Sequence, residues 1–424
     1  MSLLSRHRRR GGVLFALLAC SLAVHAAEAP SETPEQALVR LLDANRSALS
    51  IGADGLSGPG AKSLVERARH AQFVLIGEDH GFADVPQFVL ALKQSLGKDA
   101  PENLVLEIGP YAAQRLTQAV RTDKLRELAL EYPGAMPFFD WQDDGKLAGA
   151  WQRGNPRDVL WGLDQEFLFG ARISLQRLQQ LTQPGKARDA VDRLLARDAA
   201  ASKESLDKHD AGPALLLNLS DADIASLRDA LQAAPGSEAA QLVDELDQSA
   251  QIYRSQNSDG YASNSQRSQL MKKHFMRYYR AAQRAGSAVP RALFRFGAYH
   301  MTRGITPTNL YDIGNFASEF AASNDSQSLH ILVLAGGGAS NKWMPFVADT
   351  AQKSVAYDAR KELAELGALP FLQQSFPQGA TVFDVDALRR TGKARRSGGE
   401  DFAKLVFGYD FIVIVAEMKP ARNY

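Results

Sequence analysis

Cysteine is almost missing from this chain of 424 residues, with Cys20 the single example. One thiol excludes an internal disulfide framework and a Cys-based zinc site. Because Cys20 falls in a segment expected to be removed, a cysteine nucleophile is excluded from the mature domain as well. Neither charge sign is in excess: 49 basic residues face 48 acidic ones, for a net charge of +1. That balance excludes the strong positive field a nucleic-acid partner requires. Beyond residue 27 no segment reaches about 18 uninterrupted apolar residues, so the body is expected to be soluble. No fixed-period repeat or low-complexity tract occurs. Gly336-Gly337-Gly338 lacks a following Gly-Lys-Ser/Thr and reads as a tight strand-end turn instead of a phosphate cradle. Ser340 lacks a Gly-x-Ser-x-Gly elbow, which argues against an α/β-hydrolase serine. What is present is ordinary: 45% hydrophobic and 23% charged residues, the composition of a globular protein. A chain of this length buries a core without disulfide staples and fits one large or two ordinary domains.

The first 27 residues carry a charge asymmetry. They hold Arg6, Arg8, Arg9 and Arg10 and no acid; the remainder has 45 basic against 48 acidic residues, about −3 net. A basic start, the apolar run Val13–Ala19 and the small residues of Val24-His25-Ala26-Ala27 read as a secretory signal cleaved after Ala26 or Ala27. The run is too short for a permanent span. A periplasmic or secreted protein is therefore expected. Leu17-Leu18-Ala19-Cys20 also fits a lipoprotein box, and membrane attachment is expected only if Cys20 is lipidated. The apolar residues after Cys20 favour the simpler reading, a cysteine within the discarded segment.

Residues 28–60 read as an N-terminal linker and helix, with the helix over Pro34–Ser47 and a Gly-rich loop over 50–60. The chain then alternates. Apolar runs of strand length occur at Phe73–Ile76, Leu104–Leu106, Val159–Leu163, Ala292–Phe296, His330–Ala335 and Phe411–Ala416, with amphipathic segments such as Val85–Leu96 and Ala112–Ala119 between them. Continuous apolar strands separated by helices indicate a mostly parallel sheet covered on both faces. The expected fold is α/β, a three-layer α/β/α sandwich with residues 61–170 and 286–424 as the two parts of its core. Between them, residues 171–285 form a large helical insertion or cap, expected at the ligand rim of the sheet. Lys272-Lys273-His274 is placed on a solvated helix face and Arg389–Arg396 in a mobile loop. Trp141, Trp151 and Trp161, with Phe138, Phe139 and Tyr132, read as core residues, with an apolar ligand pocket as the alternative.

Ligands of open α/β sheets bind beyond the carboxyl ends of the strands. The first four apolar strands end in Gly77-Glu78-Asp79-His80-Gly81, Glu107-Ile108-Gly109, Gly162-Leu163-Asp164 and Gly297-Ala298-Tyr299-His300. Singly, such residues are turn formers and caps. Together, two histidines and several carboxylates at one rim mark a candidate site. Histidine titrates near neutrality and takes a proton from water as a general base, and a carboxylate beside it orients the ring. Two imidazoles and a carboxylate, here His80, His300 and Glu107, are also a zinc ligand set. These residue types leave metal-free and metal-assisted hydrolysis equally open.

Phe73–Gly81 (FVLIGEDHG), Leu104–Gly109 (LVLEIG), Gly162–Asp164 and Phe296–His300 (FGAYH) resemble the superfamily that joins erythromycin esterases, ChaN-like haem-uptake proteins and the TraB and Tiki proteins. Arg267-Ser-Gln-Leu-Met271 and Tyr409–Val413 extend the likeness, which covers most of residues 65–420. The resemblance implies a hydrolase acting on an ester or amide of a small molecule or peptide. In it His80 and His300 are the central pair, Glu78 and Glu107 orient them, bind metal or share the proton work, and Arg267 holds an anionic group or transition-state charge. A single residue, Asp79, separates Glu78 from His80, as in ChaN-like members; esterase members have two. The same resemblance therefore also implies two other readings: a periplasmic haem- or ligand-binding protein without catalysis, and a Tiki-like metal-dependent protease. No cofactor is fixed by these motifs, with a divalent metal or haem as the candidates.

Overall fold

A computed structural model of the protein describes residues 32–392 and 397–424. The signal segment, Cys20, the start of the linker and part of the basic cluster at 389–396 lie outside the described residues. Helix Pro34–Ala44 is followed by eleven strands: β1 (Arg46–Gly52), β2 (Gly55–Ser57), β3 (Phe73–Glu78), β4 (Asn103–Leu106), β5 (Leu160–Gly162), β6 (Ala292–Gly297), β7 (Ser328–Ala335), β8 (Ala339–Asn341), β9 (Ser354–Ala356), β10 (Ala380–Asp384) and β11 (Phe411–Val415). Nine of them form one sheet in the order β2-β1-β10-β11-β7-β3-β6-β4-β5, and β8 pairs separately with β9. From β11 to β5 every neighbour is parallel. β10, β1 and β2 extend the sheet antiparallel at one end.

The six apolar runs are all strands of this parallel part. Their side chains alternate between two cores, as a period of two dictates. Val74, Ile76, Leu104, Leu106, Ile331 and Val413 enter one core; Phe73, Leu75, Val105, Phe294, Leu332 and Ile412 enter the other. Helices Pro59–His70, Asp84–Leu96 and Pro110–Thr122 cover the first face with Leu64, Phe88 and Leu116. Helices Pro34–Ala44, Ile313–Ser323 and Gly399–Gly408 cover the second with Leu38, Ala317 and Phe402. The fold is a three-layer α/β/α sandwich, and no helix among the described residues is long and apolar enough to cross a membrane.

Residues 50–60 are not a loop. They complete the β1–β2 hairpin and open helix Pro59–His70. Arg46–Gly52 mixes polar and apolar residues because only half of an antiparallel end strand is covered, so it carries no continuous apolar run. The preceding helix accordingly stops at Ala44 rather than at residue 47. Residues 171–284 are helical as expected, from Ala171–Leu181 to Gly260–Arg284. Leu175, Val191 and Leu246 of this segment join the first core, whereas Met271 and Phe275 of its last helix cross to the second. His274 is buried on that last helix, bonded to the Leu163 carbonyl at 2.7 Å and to Glu245 at 2.8 Å. The solvated face expected for Lys272-Lys273-His274 does not extend to it. Trp141, Trp151 and Trp161 are all buried in packing.

Asp410, at the entry to β11, gathers four parts of the chain. Its carboxylate receives Arg303 at 2.5 Å, Arg67 at 2.9 Å, Arg389 at 3.2 Å and the His330 backbone N–H at 2.9 Å. The group is buried, yet these cations hold it well below the usual carboxylate range. Removing one partner of a buried ion network leaves the rest uncompensated. Asp410→Asn is expected to cost about 3 kcal/mol of stability at neutral pH and to flatten the loss of stability on acidification. Urea unfolding at neutral pH and near pH 4 checks both effects.

Candidate functional site

The carboxyl ends of β3, β4 and β6 lie side by side at the middle of the sheet. Glu78 is the last residue of β3, Glu107 follows β4, and Gly297 ends β6, with His300 in the short turn of helix behind it. This adjacency brings His80, His300, Glu78 and Glu107 together, and the four border a cavity of about 340 Å³.

Each imidazole is held by a carboxylate on one nitrogen and faces a shared carboxylate with the other. His80 Nδ1 donates to Glu78 Oε1 at 2.7 Å, and its Nε2 stands 3.5 Å from Glu107 Oε2. His300 Nδ1 donates to Asp312 Oδ2 at 2.7 Å, and its Nε2 stands 3.3 Å from Glu107 Oε1. Glu107 also accepts from the Gly297 backbone N–H at 2.7 Å and from Arg267 at 2.9 Å. A Cβ on Gly297 would stand 3.0 Å from His80 Nε2, tighter than an ordinary contact, so glycine spares that ring a shift.

Burial opposes charge on both rings, but the carboxylates outweigh it. Hydrogen bonds and charge from Glu107 and Glu78 push His80 up to about 10. The Glu107 charge and the Asp312 hydrogen bond push His300 up to about 9, against the opposing charge of Arg267. Burial works against Glu107 as an anion too, and the two histidines hold it well below the usual range. The site therefore rests as two imidazolium rings on one carboxylate at neutral pH.

Arg267 does not enter the cavity. It grips Asp164 at 2.8 and 2.5 Å as well as Glu107, so two carboxylates already neutralise it. Its observed contacts fix Glu107 from behind. The cavity's far wall is not formed by the helical segment 171–284 but by Tyr357, Glu362, Glu365 and Leu366.

Two partners, Arg295 and Asp312, were not read from the sequence, and a third, Phe138, was read only as a core or pocket aromatic. Arg295 lies buried in β6 and forks onto Glu78 at 2.7 and 2.8 Å, with Asp144 as its second counter-ion. Its signal was present, since a lone charge in the run Ala292–Phe296 must be paired. Asp312 is the N-cap of helix Ile313–Ser323 and looks like any cap in sequence. Phe138 stacks on His80 with centroids 4.0 Å apart, and its φ of 73° is strained for a bulky residue. The aromatic cluster around it reads as core or apolar pocket, but nothing in the sequence places it on His80.

Among the described residues no group of three or more His, Cys, Asp or Glu side chains is arranged to hold a metal ion. The Arg267 charge on Glu107 opposes a cation there. Each Nδ1 is bonded to a carboxylate and each Nε2 faces Glu107, at 3.5 Å for His80 and 3.3 Å for His300, so a haem iron would have to displace that carboxylate. The donor set as it stands does not fit a resident metal or haem.

No family model and no curated protein matches the sequence. Solved structures do. A Bacillus cereus protein from a structural genomics programme is similar with a TM-score of 0.55 and 14% identity, over 92% of this chain and 99% of that one. Erythromycin esterase EreC, crystallised as a mutant in its open conformation, is similar with a TM-score of 0.54 and 14% identity, over 89% and 98%. The chain has the erythromycin esterase fold. A succinoglycan biosynthesis protein shares it too, with a TM-score of 0.53 and 14% identity over 92% and 98% of the two chains. At these identities the likeness concerns the fold alone.

The raised histidines and lowered carboxylates make the site a contributor to stability with a defined pH window. A proton bound more tightly in the folded state stabilises fully below the unfolded histidine value of about 6.5. That contribution is lost as pH rises through the folded values of about 9 and about 10. The carboxylates act in the opposite sense and lose their contribution on acidification. Glu107→Gln is expected to cost about 3 kcal/mol near pH 6 and much less near pH 10. Denaturant titrations of both proteins at the two pH values check this.

Proposed function

We propose that this protein is an exported hydrolase that activates water against an ester or amide carbonyl. The observation that carries the reading is the pair of imidazoles, each oriented by a buried carboxylate, whose Nε2 atoms face one carboxylate in an open cavity. The fold shared with an erythromycin esterase supports hydrolysis as the reaction class. The basic start and apolar run of residues 1–27 support export.

The two rings divide the proton work because their surroundings differ. Arg267 opposes charge on His300, which makes it the readier of the two to lose its proton. Neutral His300 takes a proton from water through Nε2, and Asp312 steadies the imidazolium that forms. The water oxygen bonds to the carbonyl carbon. His80, still protonated, donates its Nε2–H to the oxyanion as charge develops there. The tetrahedral species then collapses and expels the alcohol or amine, which takes the proton from His300. No covalent enzyme intermediate forms. Glu78, clamped by Arg295, keeps the His80 ring in register.

His80→Ala and His300→Ala are each expected to abolish turnover, by at least about 10²-fold, while thermal unfolding remains cooperative. With wild-type protein and p-nitrophenyl acetate, kcat/KM is expected to rise with pH until His300 is neutral near 9 and to fall once His80 loses its proton near 10. A variant that keeps near-wild-type rates, or an optimum near pH 7, would overturn the roles given to these rings.

A further inference from the structure

The histidine cavity does not end at its own walls. A second cavity of about 230 Å³ adjoins it and shares Ala298, Tyr299, Glu365 and Leu366 with it. Ile305, Pro307 and Leu405 give the second cavity an apolar lining, and its base is firm: Thr302 and Tyr409 are buried, and the Tyr409 hydroxyl donates to the Ala298 carbonyl. Tyr299 and Ile305 stand about half exposed beside it. A single exposed apolar side chain has no meaning. Two of them bordering a cleft that runs into a reactive centre supply apolar surface for a ligand to cover.

Apart from the two imidazolium rings, which Glu78, Glu107 and Asp312 already neutralise, the charge along this path is negative. Asp79, Glu362 and Glu365 line the first cavity and Asp401 the second. Lys404 is the sole lysine or arginine among the residues lining either cavity, and it is paired with Asp401 at 3.0 Å and Glu400 at 3.1 Å. An anionic group in the second cavity would meet carboxylates without a free cation to offset them.

Building on the hydrolase reading, we propose that the second cavity is a substrate subsite that seats an uncharged apolar chain attached to the scissile carbonyl, with Ile305 and Leu366 setting the chain-length preference. The preferred substrates are then esters or amides that are uncharged around the scissile bond and extended on one side by a hydrocarbon portion. A methylene group taken fully out of water is worth about fourfold in binding, so even partial seating of a medium chain separates long from short substrates. The chain lies on the acyl or the alkoxy side of the carbonyl, and two ester series tell these apart.

The test compares wild-type protein with Ile305→Ser and Leu366→Ser. kcat/KM is measured for p-nitrophenyl acetate against p-nitrophenyl octanoate, and for ethyl acetate against octyl acetate. Binding of 2-octanone, an uncharged ester isostere that cannot be hydrolysed, is measured by calorimetry alongside octanoate as the anionic counterpart. The proposal expects one long-chain series to exceed its short partner by at least about tenfold in the wild-type protein. It expects Ile305→Ser to lose about tenfold on the long substrate and under twofold on the short one, and Leu366→Ser, whose side chain also borders the histidine cavity, to lose more on the long substrate than on the short one. It also expects 2-octanone to bind more tightly than octanoate and to weaken about tenfold in the variants. If no ester is turned over but the ketone binds and weakens as stated, the subsite stands and the hydrolase reading fails. Equal ketone binding by wild-type and variant proteins, or equal losses on long and short esters, would overturn the subsite.

Discussion

The structure depends on one carboxylate. Glu107 sits just past the end of a central parallel strand, almost out of reach of solvent, and a bare anion there would be costly. Four donors remove the cost: two imidazoles, a guanidinium and the Gly297 backbone N–H. They come from the ends of two other strands, from the short turn of helix after one of them and from the last helix of the inserted segment. Holding Glu107 as an anion therefore means holding those elements in one arrangement. The same contacts place two titratable rings at opposite oxygens of one group, facing a cavity. Fold and candidate chemistry share a single electrostatic constraint.

Around that constraint the molecule is organised in shells of alternating charge. Glu78 and Asp312 lie behind the two rings, Asp164 behind Arg267, and Arg295 with Asp144 behind Glu78. Each charge in these shells has a counter-charge carried by a different element. Such networks gain little net energy over apolar packing, but breaking any link is expensive. They serve to fix ring orientation, which a reaction requiring two cooperating imidazoles needs more than it needs extra stability. Asp410 does comparable work nearby, tying the segment after His300 to the strands that form the sheet's middle.

Much of this was legible in the sequence. Continuous apolar runs gave the six parallel strands because both faces of that sheet are covered. The positions just beyond their carboxyl ends gave Glu78, His80, Glu107 and His300, since ligand-facing polar residues collect there in open α/β sheets. The antiparallel strands β1 and β10 left no such trace. Arg267 came only through a resemblance, and its place behind Glu107, neutralised by two carboxylates, differs from that of a residue waiting for substrate charge. Asp312 acts through a contact with His300 that no local pattern encodes, and Phe138, legible as a core or pocket aromatic, gives no sign in the sequence of its stack on His80. The cavity wall at residues 357–366 was hidden for the same reason, while the conspicuous helical segment reaches the site through Arg267, behind Glu107.

The central claim is that Glu107 holds both imidazoles protonated well above their ordinary range. Proton NMR titration of the histidine rings in the wild-type protein and in Glu107→Gln tests it most directly. The account predicts wild-type titrations at about 10 for His80 and about 9 for His300, both falling toward 6.5 when Glu107 is neutralised. Two rings titrating near 6.5 in the wild-type protein, unmoved by the substitution, would contradict it.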